Sequence, residues 1–348
     1  MVSLSWPLQA PPPQDMRWVR VEDASAVPAC RKAVQNMAER LRFPASRIGQ
    51  LALAVTEAAS NLHKHAEQGS LLLCVNRDGQ PPGIDLVTID AGPGVRDVSA
   101  AVRDGHSTAG SLGVGLGAIR RLADFTDLYS RPGRGTSLVA RFRPVLAGGT
   151  TPPDPLKPSW ARWAGLVRPI TGETECGDAY GAAQAGGEVT AVLCDGLGHG
   201  PLAAAAAAAG VAAVLDDPAG EPAALLERVH RRMSGTRGGA VGIVRIDGQR
   251  ARFAGLGNVA ASIVSGGTRK SMVSIPGIAG HQARSFRQFD YEAPPGAAVI
   301  LHSDGISNRW EAAALPGIEA RDPLLIAAVL LAEAGVHRDD AGVLVLKP

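Results

Sequence analysis

Val189-Thr-Ala-Val-Leu-Cys-Asp195-Gly-Leu-Gly-His-Gly200 changes character in mid-stretch. Six residues suited to a buried strand run into an aspartate, glycines alternate through the next five positions, and a helix-forming segment, Pro201–Leu215 with seven consecutive alanines (203–209), follows. An aspartate that ends such a run is held at the rim of a buried sheet. Asp-Gly by itself is only a good turn former, and the chain has five, beginning at Asp78, Asp104, Asp195, Asp247 and Asp304. Asp247-Gly248 fits a hairpin between two strand-like runs, and Asp78-Gly79 fits a loop. Asp304 repeats the pattern of Asp195, closing the apolar run AAVILHS (297–303). Two further acids occupy comparable places: Asp178 in TECGDAYG (174–181) and Asp339 in RDDAGVLVL (338–346), just before the last strand-like run. Four carboxylates gathered at strand ends repel one another unless a cation intervenes, and oxygen-only donors favour magnesium or manganese over zinc or copper. The plain alternative is four unrelated turn and cap aspartates.

Around these acids the second half reads as short strands, Val189–Cys194, Ala240–Ile246, Arg252–Leu256, Ala260–Val264, Ala298–His302 and Gly342–Leu346. Helices are expected at Pro201–Leu215, Pro222–Met233 and Asp322–Ala334, covering sheets. The strings TECGDAYG, VLCDGLGHG (192–200), GLGNVAASIV (255–264), LHSDGIS (301–307) and RDDAGVLVL, in that order over roughly residues 160–348, resemble the metal-dependent serine/threonine protein phosphatases (PPM), specifically their bacterial sporulation and stress-response branch (SpoIIE/RsbX-like). The resemblance implies an αββα sandwich in which Asp195 bridges two manganese or magnesium ions and the Gly196 carbonyl completes one shell. It further implies that Asp304 and Asp339 ligate the other ion, that Asp178 also belongs to the metal set, and that phosphoserine or phosphothreonine is hydrolysed in line without a covalent enzyme intermediate. Asp195 and Asp304 are thus the catalytic acids it assigns. For His199 a loop hydrogen bond to backbone and a proton donor to the leaving hydroxyl are the two readings. Cys176 departs from the Gly or Ser frequent at that place in the family and is small enough to matter little.

The first half carries a different constellation. Ser46–Ala66 has Ile48, Leu51, Val55 and Leu62 at helical spacing, and Glu57, Asn61 and His65 recur every four residues as one polar stripe. Leu71–Val75 and Ile84–Ile89 read as strands, Leu116–Phe125 as a short helix, and Asp127–Ser130 with Thr136–Phe142 as a hairpin around RPGRG. Asp90-Ala-Gly92-Pro-Gly94 follows a strand, and the glycine series Gly113, Gly115, Gly117 opens a helix, where backbone amides can approach phosphate oxygens. Each glycine motif alone is weak, since a turn explains it as well.

In combination EAASNLHKH (57–65), DAGPGV (90–95) and DGHSTAGSLGVGLGAIRRLAD (104–124) resemble the GHKL nucleotide-binding fold of gyrase, Hsp-ninety chaperones, histidine kinases and MutL. More narrowly, over roughly residues 15–143, they resemble the small serine/threonine kinases of bacterial partner switching, especially the stressosome switch kinases (RsbT-like). That resemblance implies an α/β sandwich binding ATP with magnesium. Asn61 would ligate the ion, Glu57 would act as general base toward the substrate hydroxyl, and Asp90 would bind the adenine amino group, with Gly92 and Gly94 shaping its pocket. Gly113, Gly115 and Gly117 would form the phosphate lid, Thr136 would sit near adenine, and His65 matches with a less defined role.

The 348 residues suffice for two cores, and both halves are expected to be α+β. The expected division is a flexible leader over 1–14, an ATP-binding kinase-like domain over 15–145, a Pro/Gly-rich linker over 146–159 and a phosphatase domain over 160–348. A formal net charge of +2 shows no basic excess of the kind nucleic acid demands. Cys30, Cys74, Cys176 and Cys194 have no CxxC or zinc spacing, and the longest apolar stretch, Leu202–Leu215, is too short for a bilayer, so a cytoplasmic protein with free thiols is expected. Together the two resemblances imply opposed kinase and phosphatase activities on STAS-domain proteins, either anti-sigma antagonists or stressosome scaffold subunits. The alternative is a phosphatase whose first half binds ATP only to capture a partner. A homodimer through the first half's helices is compatible with the sequence, but no heptad compels it.

Overall fold

Helix Ala45–His65 begins where Pro44 stands as N-cap, and it buries Leu51, Val55, Ala58 and Leu62 on one side while Lys64 in its last turn is opposite in charge to the carbonyl end of the dipole. It belongs to the first of two bodies, residues 11–158; the second comprises residues 1–10 and 159–348. The computed structural model describes residues 8–77, 81–95, 112–144 and 162–348. The expected linker 146–159 and the part of the glycine-rich motif up to Ser111 lie outside the described residues, as does Asp78-Gly79.

The first strand, β1 (Leu8–Gln9), is part of the second body. The first body contains β2 (Met16–Arg20), α1 (Ala26–Arg40), α2 (Ala45–His65), β3 (Ser70–Asn76), β4 (Gly83–Ile89), α3 (Leu112–Leu122), β5 (Phe125–Ser130) and β6 (Thr136–Phe142). Its strands form one antiparallel sheet in the order β2-β3-β4-β6-β5, and the helices pack on it. Leu71, Leu73 and Val75 alternate inward along β3 to meet Val34 and Met37 of α1, Leu51 and Val55 of α2 and Ile119 of α3 in one apolar core. The β5–β6 hairpin closes on Ser130 opposite Thr136, around the turn 131–135.

The sequence reading needs correcting in three places. The helix expected at Leu116–Phe125 is Leu112–Leu122, so Gly113, Gly115 and Gly117 lie inside it and Phe125 starts a strand. Gly115 shows why glycine is tolerated there: a Cβ would stand 2.7 Å from the Asn61 side-chain amide, so the helix can lie this close to α2 only without one. The elements β2 and α1 were not anticipated, because their apolar residues are spaced by polar ones. Residues 8–15 are also ordered: Leu8 and Gln9 pair antiparallel with Ala182 and Gly181, and Asp15 is buried between Arg40 and Arg77. Prolines 11–13 follow the pairing residues, and β1 takes the sheet edge, so no missing amide interrupts the ladder.

The second body continues with β7 (Trp163–Arg168), β8 (Asp178–Ala185), β9 (Glu188–Gly196), α4 (Pro201–Leu215), α5 (Pro222–Met233), β10 (Gly239–Asp247), β11 (Arg250–Leu256), β12 (Ala260–Ser265), β13 (Thr268–Ser271), β14 (Ser274–Ile275), β15 (Phe289–Glu292), β16 (Ala298–His302), α6 (Pro323–Ala334) and β17 (Ala341–Leu346). One sheet runs β1-β8-β9-β10-β11-β14 with β15 also on β11, and the other runs β13-β12-β16-β17-β7. The sheets face each other through β17 and β7 across β8 and β9; α4 and α5 cover the first sheet and α6 the second, giving an αββα sandwich. Alanine permits α4 to approach closely: Ala203, Ala206 and Ala207 are fully buried, and at Gly210 a Cβ would come within 2.7 Å of the Cys194 sulfur. Asp322 caps α6 by accepting from the Leu324 amide at 2.9 Å.

Candidate functional site

In the first body a cleft opens between α2, α3 and the ends of β4 and β6. Asn61 and His65 of α2 line it with Asp90, Gly94, Thr88, Leu116, Ile119 and Thr136. Asp90 Oδ1 accepts hydrogen bonds from the amides of Gly92 (2.8 Å) and Thr136 (3.3 Å). Burial nevertheless holds the Asp90 carboxyl above its ordinary range, with those two amides opposing. Gly92 and Gly94 are required sterically, since Cβ atoms would stand 2.9 Å from the His65 carbonyl oxygen and 2.1 Å from that of Arg131. Burial, then the charge of Lys64, lowers the His65 imidazole pKa, favouring the neutral ring.

Asn61 Nδ2 is buried and has no hydrogen-bond partner among the described residues. An orphaned amide beside a carboxylate-floored apolar cleft fits a polar ligand with an apolar body, and a magnesium nucleotide has both parts. Glu57 lies one turn before Asn61 on the same helix, half-buried and not among the residues lining the cleft. Thr88 and Ser130 were missed by sequence reading. Ser130 Oγ bonds Thr136 Oγ1 (2.9 Å) and accepts from the Val95 amide (2.8 Å), tying the segment after Asp90 to the hairpin.

In the second body the acids meet at one end of the two sheets. Asp178, opening β8, stands in register opposite Asp195 near the end of β9. Asp304 follows β16 and Asp339 precedes β17. Asp195 and Asp304 share a hydrogen bond, and burial first, then the charges of Asp304, Asp339 and Asp340, push the Asp195 carboxyl up to about 7. Burial and the Asp195 charge raise Asp178 well above its usual range, and Asp304, at the solvent edge of the same sheet end, is raised by desolvation and by Asp339. Among the described residues no three acidic, histidine or cysteine side chains form a closed cage. Their chemistry is the telling feature: oxygen donors only, pressed together until their charges oppose ionisation, as suits hard divalent cations.

The residues holding these acids were not read from the sequence. Ser303 Oγ donates to Asp178 Oδ2 (2.6 Å) and accepts from the Gly342 amide (2.9 Å), tying one sheet to the other. Asn258 donates to Asp304 Oδ2. Asp340, the second acid of the doublet, is 4% exposed and accepts from the amides of Ile170 (2.7 Å) and Gly177 (2.8 Å). Its place next to Asp339 was the available signal, since consecutive side chains entering a strand point to opposite sides. Among the described residues His199 has no hydrogen bond to backbone; its Nδ1 meets Glu173 Oε1 at 2.9 Å. Gly196 and Gly305 are not turn glycines of positive φ. A Cβ at Gly196 would meet the Ala203 oxygen at 2.2 Å and one at Gly305 the Asp340 oxygen at 1.8 Å, so in both Asp-Gly pairs glycine admits a crossing backbone.

Asp340→Ala should cost about 2–4 kcal/mol, because two backbone amides lose their acceptor in a site closed to water. Urea unfolding of the second body measures it; an unmoved midpoint would mean that those amides find other acceptors.

Residues 21–142 match the family described as histidine kinase-like ATPase domain, and residues 185–347 that described as stage II sporulation protein E (SpoIIE). The chain therefore joins a GHKL-type ATPase domain to a SpoIIE-type PPM phosphatase domain. Serine/threonine-protein kinase RsbT of Bacillus subtilis (strain 168) is 32% identical over 126 residues, which are 36% of this chain and 95% of that protein. Over that stretch the chain belongs to the family of RsbT. Among solved structures, RsbX in complex with magnesium is 21% identical, with a TM-score of 0.48 over 53% of this chain and 94% of that one. A chain from work on the bacterial stressosome as a modular system is 26% identical, with a TM-score of 0.49 over 53% and 98%.

Proposed function

We propose that the chain is a bifunctional partner-switching regulator, an ATP-dependent serine/threonine kinase and a metal-dependent phosphoserine/phosphothreonine phosphatase acting on STAS-domain proteins of bacterial stress or sigma-factor control, in the cytoplasm. The observation carrying this reading is that one chain presents both an orphaned Asn61 amide over a carboxylate-floored cleft and a coupled carboxylate group at the end of a two-sheet sandwich. Among the described residues no helix is long and apolar enough to cross a membrane.

In the phosphatase half, Asp178, Asp195, Asp304, Asp339 and the Gly196 carbonyl would hold two magnesium or manganese ions, which supply Lewis-acid neutralisation of the phosphate and activation of water. The chain's own work is to aim these donors. Ser303 holds Asp178 and Asn258 holds Asp304. In the kinase half, Asp90 would accept from the adenine amino group, Asn61 would hold the magnesium on the phosphates, and Glu57 would take the proton from the substrate hydroxyl. Gly113, Gly115, Gly117 and Thr136 complete the proposed nucleotide site, with His65 at its edge.

A second reading, that the first half captures a partner without transferring phosphate, is favoured by one observation: Glu57 does not line the cleft. Transfer of labelled γ-phosphate to a STAS-domain protein, beside manganese-dependent release from the phosphorylated form, tests both halves. Nucleotide binding without transfer would favour capture, and a manganese-loaded chain that releases no phosphate would sink the phosphatase assignment.

The raised Asp195 carboxyl gives a pH signature. The folded state holds that proton up to about 7, whereas an ordinary aspartate loses it near 3.8, so the metal-free fold loses stability as pH rises between those values. Cations must displace the same proton, so manganese affinity should rise about tenfold per pH unit below 7 and level off above it. Calorimetric titration at pH 6, 7 and 8 reads this, and an affinity flat across that range would contradict it.

A further inference from the structure

The two ions proposed above would offset the carboxylates, and a cationic side chain beside them would add a directed contact to an incoming phosphate dianion. Segment 234–238, between α5 and β10, runs beside the Asp195–Gly200 loop: Gly238 O accepts from the Leu197 amide (3.0 Å), and β10 continues with Gly239 opposite Gly196 and Ala240 opposite Asp195. On this segment stands Arg237. Its Nη1 lies 3.0 Å from where a Cβ of Gly198 would be, so the guanidinium rests against the glycine three residues after Asp195.

Among the described residues Arg231, Arg232, Arg284, Arg287 and Arg338 have, like Arg237, no side-chain hydrogen bond or ion pair, so what marks Arg237 is its place against Gly198. Arg228, Arg245, Arg250 and Arg252 are each paired with a carboxylate, and Arg269 bonds Asn308 and stacks on Trp310. Arg237 is exposed and, among the described residues, has no hydrogen bond or ion pair. His199 on the same loop is already engaged with Glu173. Leu197 on the same loop is 43% exposed, and Leu202, in the first turn of α4, is 60% exposed. A planar fork with five donors is matched to phosphate oxygens.

We propose that Arg237 binds the phosphate group of the substrate, and that Leu197 and Leu202 contact the polypeptide flanking the phosphorylated residue. This rests on the phosphatase reading above. The test compares wild type, Arg237→Ala and Arg237→Lys in manganese-saturated hydrolysis of p-nitrophenyl phosphate, with inorganic phosphate as inhibitor. Arg237→Ala should raise KM and the phosphate inhibition constant together by about ten- to a hundredfold, the worth of a charged hydrogen-bond pair. Lysine should restore only part, because an ammonium lacks the fork. Manganese affinity by calorimetry should be unchanged, which separates a lost anion contact from a damaged fold or metal site. A KM and phosphate inhibition within twofold of wild type in Arg237→Ala would overturn the inference. Direct calorimetry of inorganic phosphate needs no turnover: an inactive wild type that binds phosphate only with Arg237 present would sink the hydrolytic reading and keep the anion site, whereas equal binding by both proteins would remove the anion site.

Discussion

Asp195→Ala is expected to reduce manganese-dependent hydrolysis of p-nitrophenyl phosphate by about a thousandfold or more, since removing several kcal/mol of transition-state charge stabilisation corresponds to that loss. Asp304→Ala should follow it closely. The same substitution should leave the metal-free protein as stable as wild type or more so above pH 7. Asp195 is held ionised there against burial and the charges of Asp304, Asp339 and Asp340, and alanine removes that conflict. Asp340→Ala should behave in the opposite way, losing stability because its carboxylate serves two amides. Activity of both variants in p-nitrophenyl phosphate, set beside their urea midpoints without metal, separates a ligand acid from a structural one. An Asp195→Ala protein that stays active, or that loses activity only because it unfolds, would defeat the assignment.

What could be read in advance follows from where information is local. Strands such as Ala298–His302 and helices such as Pro201–Leu215 and Pro222–Met233 are bounded in the structure where apolar runs meet proline, glycine or acid, because those residues change backbone preference on the spot. Strand β8 was missed. Its residues Asp178–Ala185 contain four alanines and a glycine, which carry little strand propensity, and it is made a strand by pairing on both sides with β1 and β9. The acids at 178, 195, 304 and 339 were visible as chemistry at strand ends, whereas Ser303, Asn258 and Asp340 owe their roles to partners at distant positions. Asp340, for instance, meets amides 163 and 170 residues away, a relation no spacing encodes. The glycines after Asp195 and Asp304 were visible as residues but their steric cause was not, because a crossing backbone leaves no local mark.

The other large effect concerns Glu57. Glu57→Gln keeps the shape and helix propensity of the side chain and removes its capacity to accept a proton, so γ-phosphoryl transfer to a STAS-domain substrate should fall by about a hundred- to ten-thousandfold. Nucleotide affinity should be unchanged, because Glu57 does not line the cleft. Asp90→Asn is the complementary variant: the amide oxygen can still accept from Gly92 and Thr136, so the fold is kept, but an NH2 group replaces the oxygen offered to the adenine amino group and nucleotide binding should be lost. Fluorescent-nucleotide titration and labelled phosphate transfer, run on both variants, therefore give opposite signatures for a base and a binding residue. If Glu57→Gln transfers phosphate at the wild-type rate, Glu57 is not the base. If the wild type binds nucleotide tightly and transfers none to any STAS-domain protein offered, the first half is a nucleotide-gated capture module, and phosphate removal in the second half is the chain's sole chemistry.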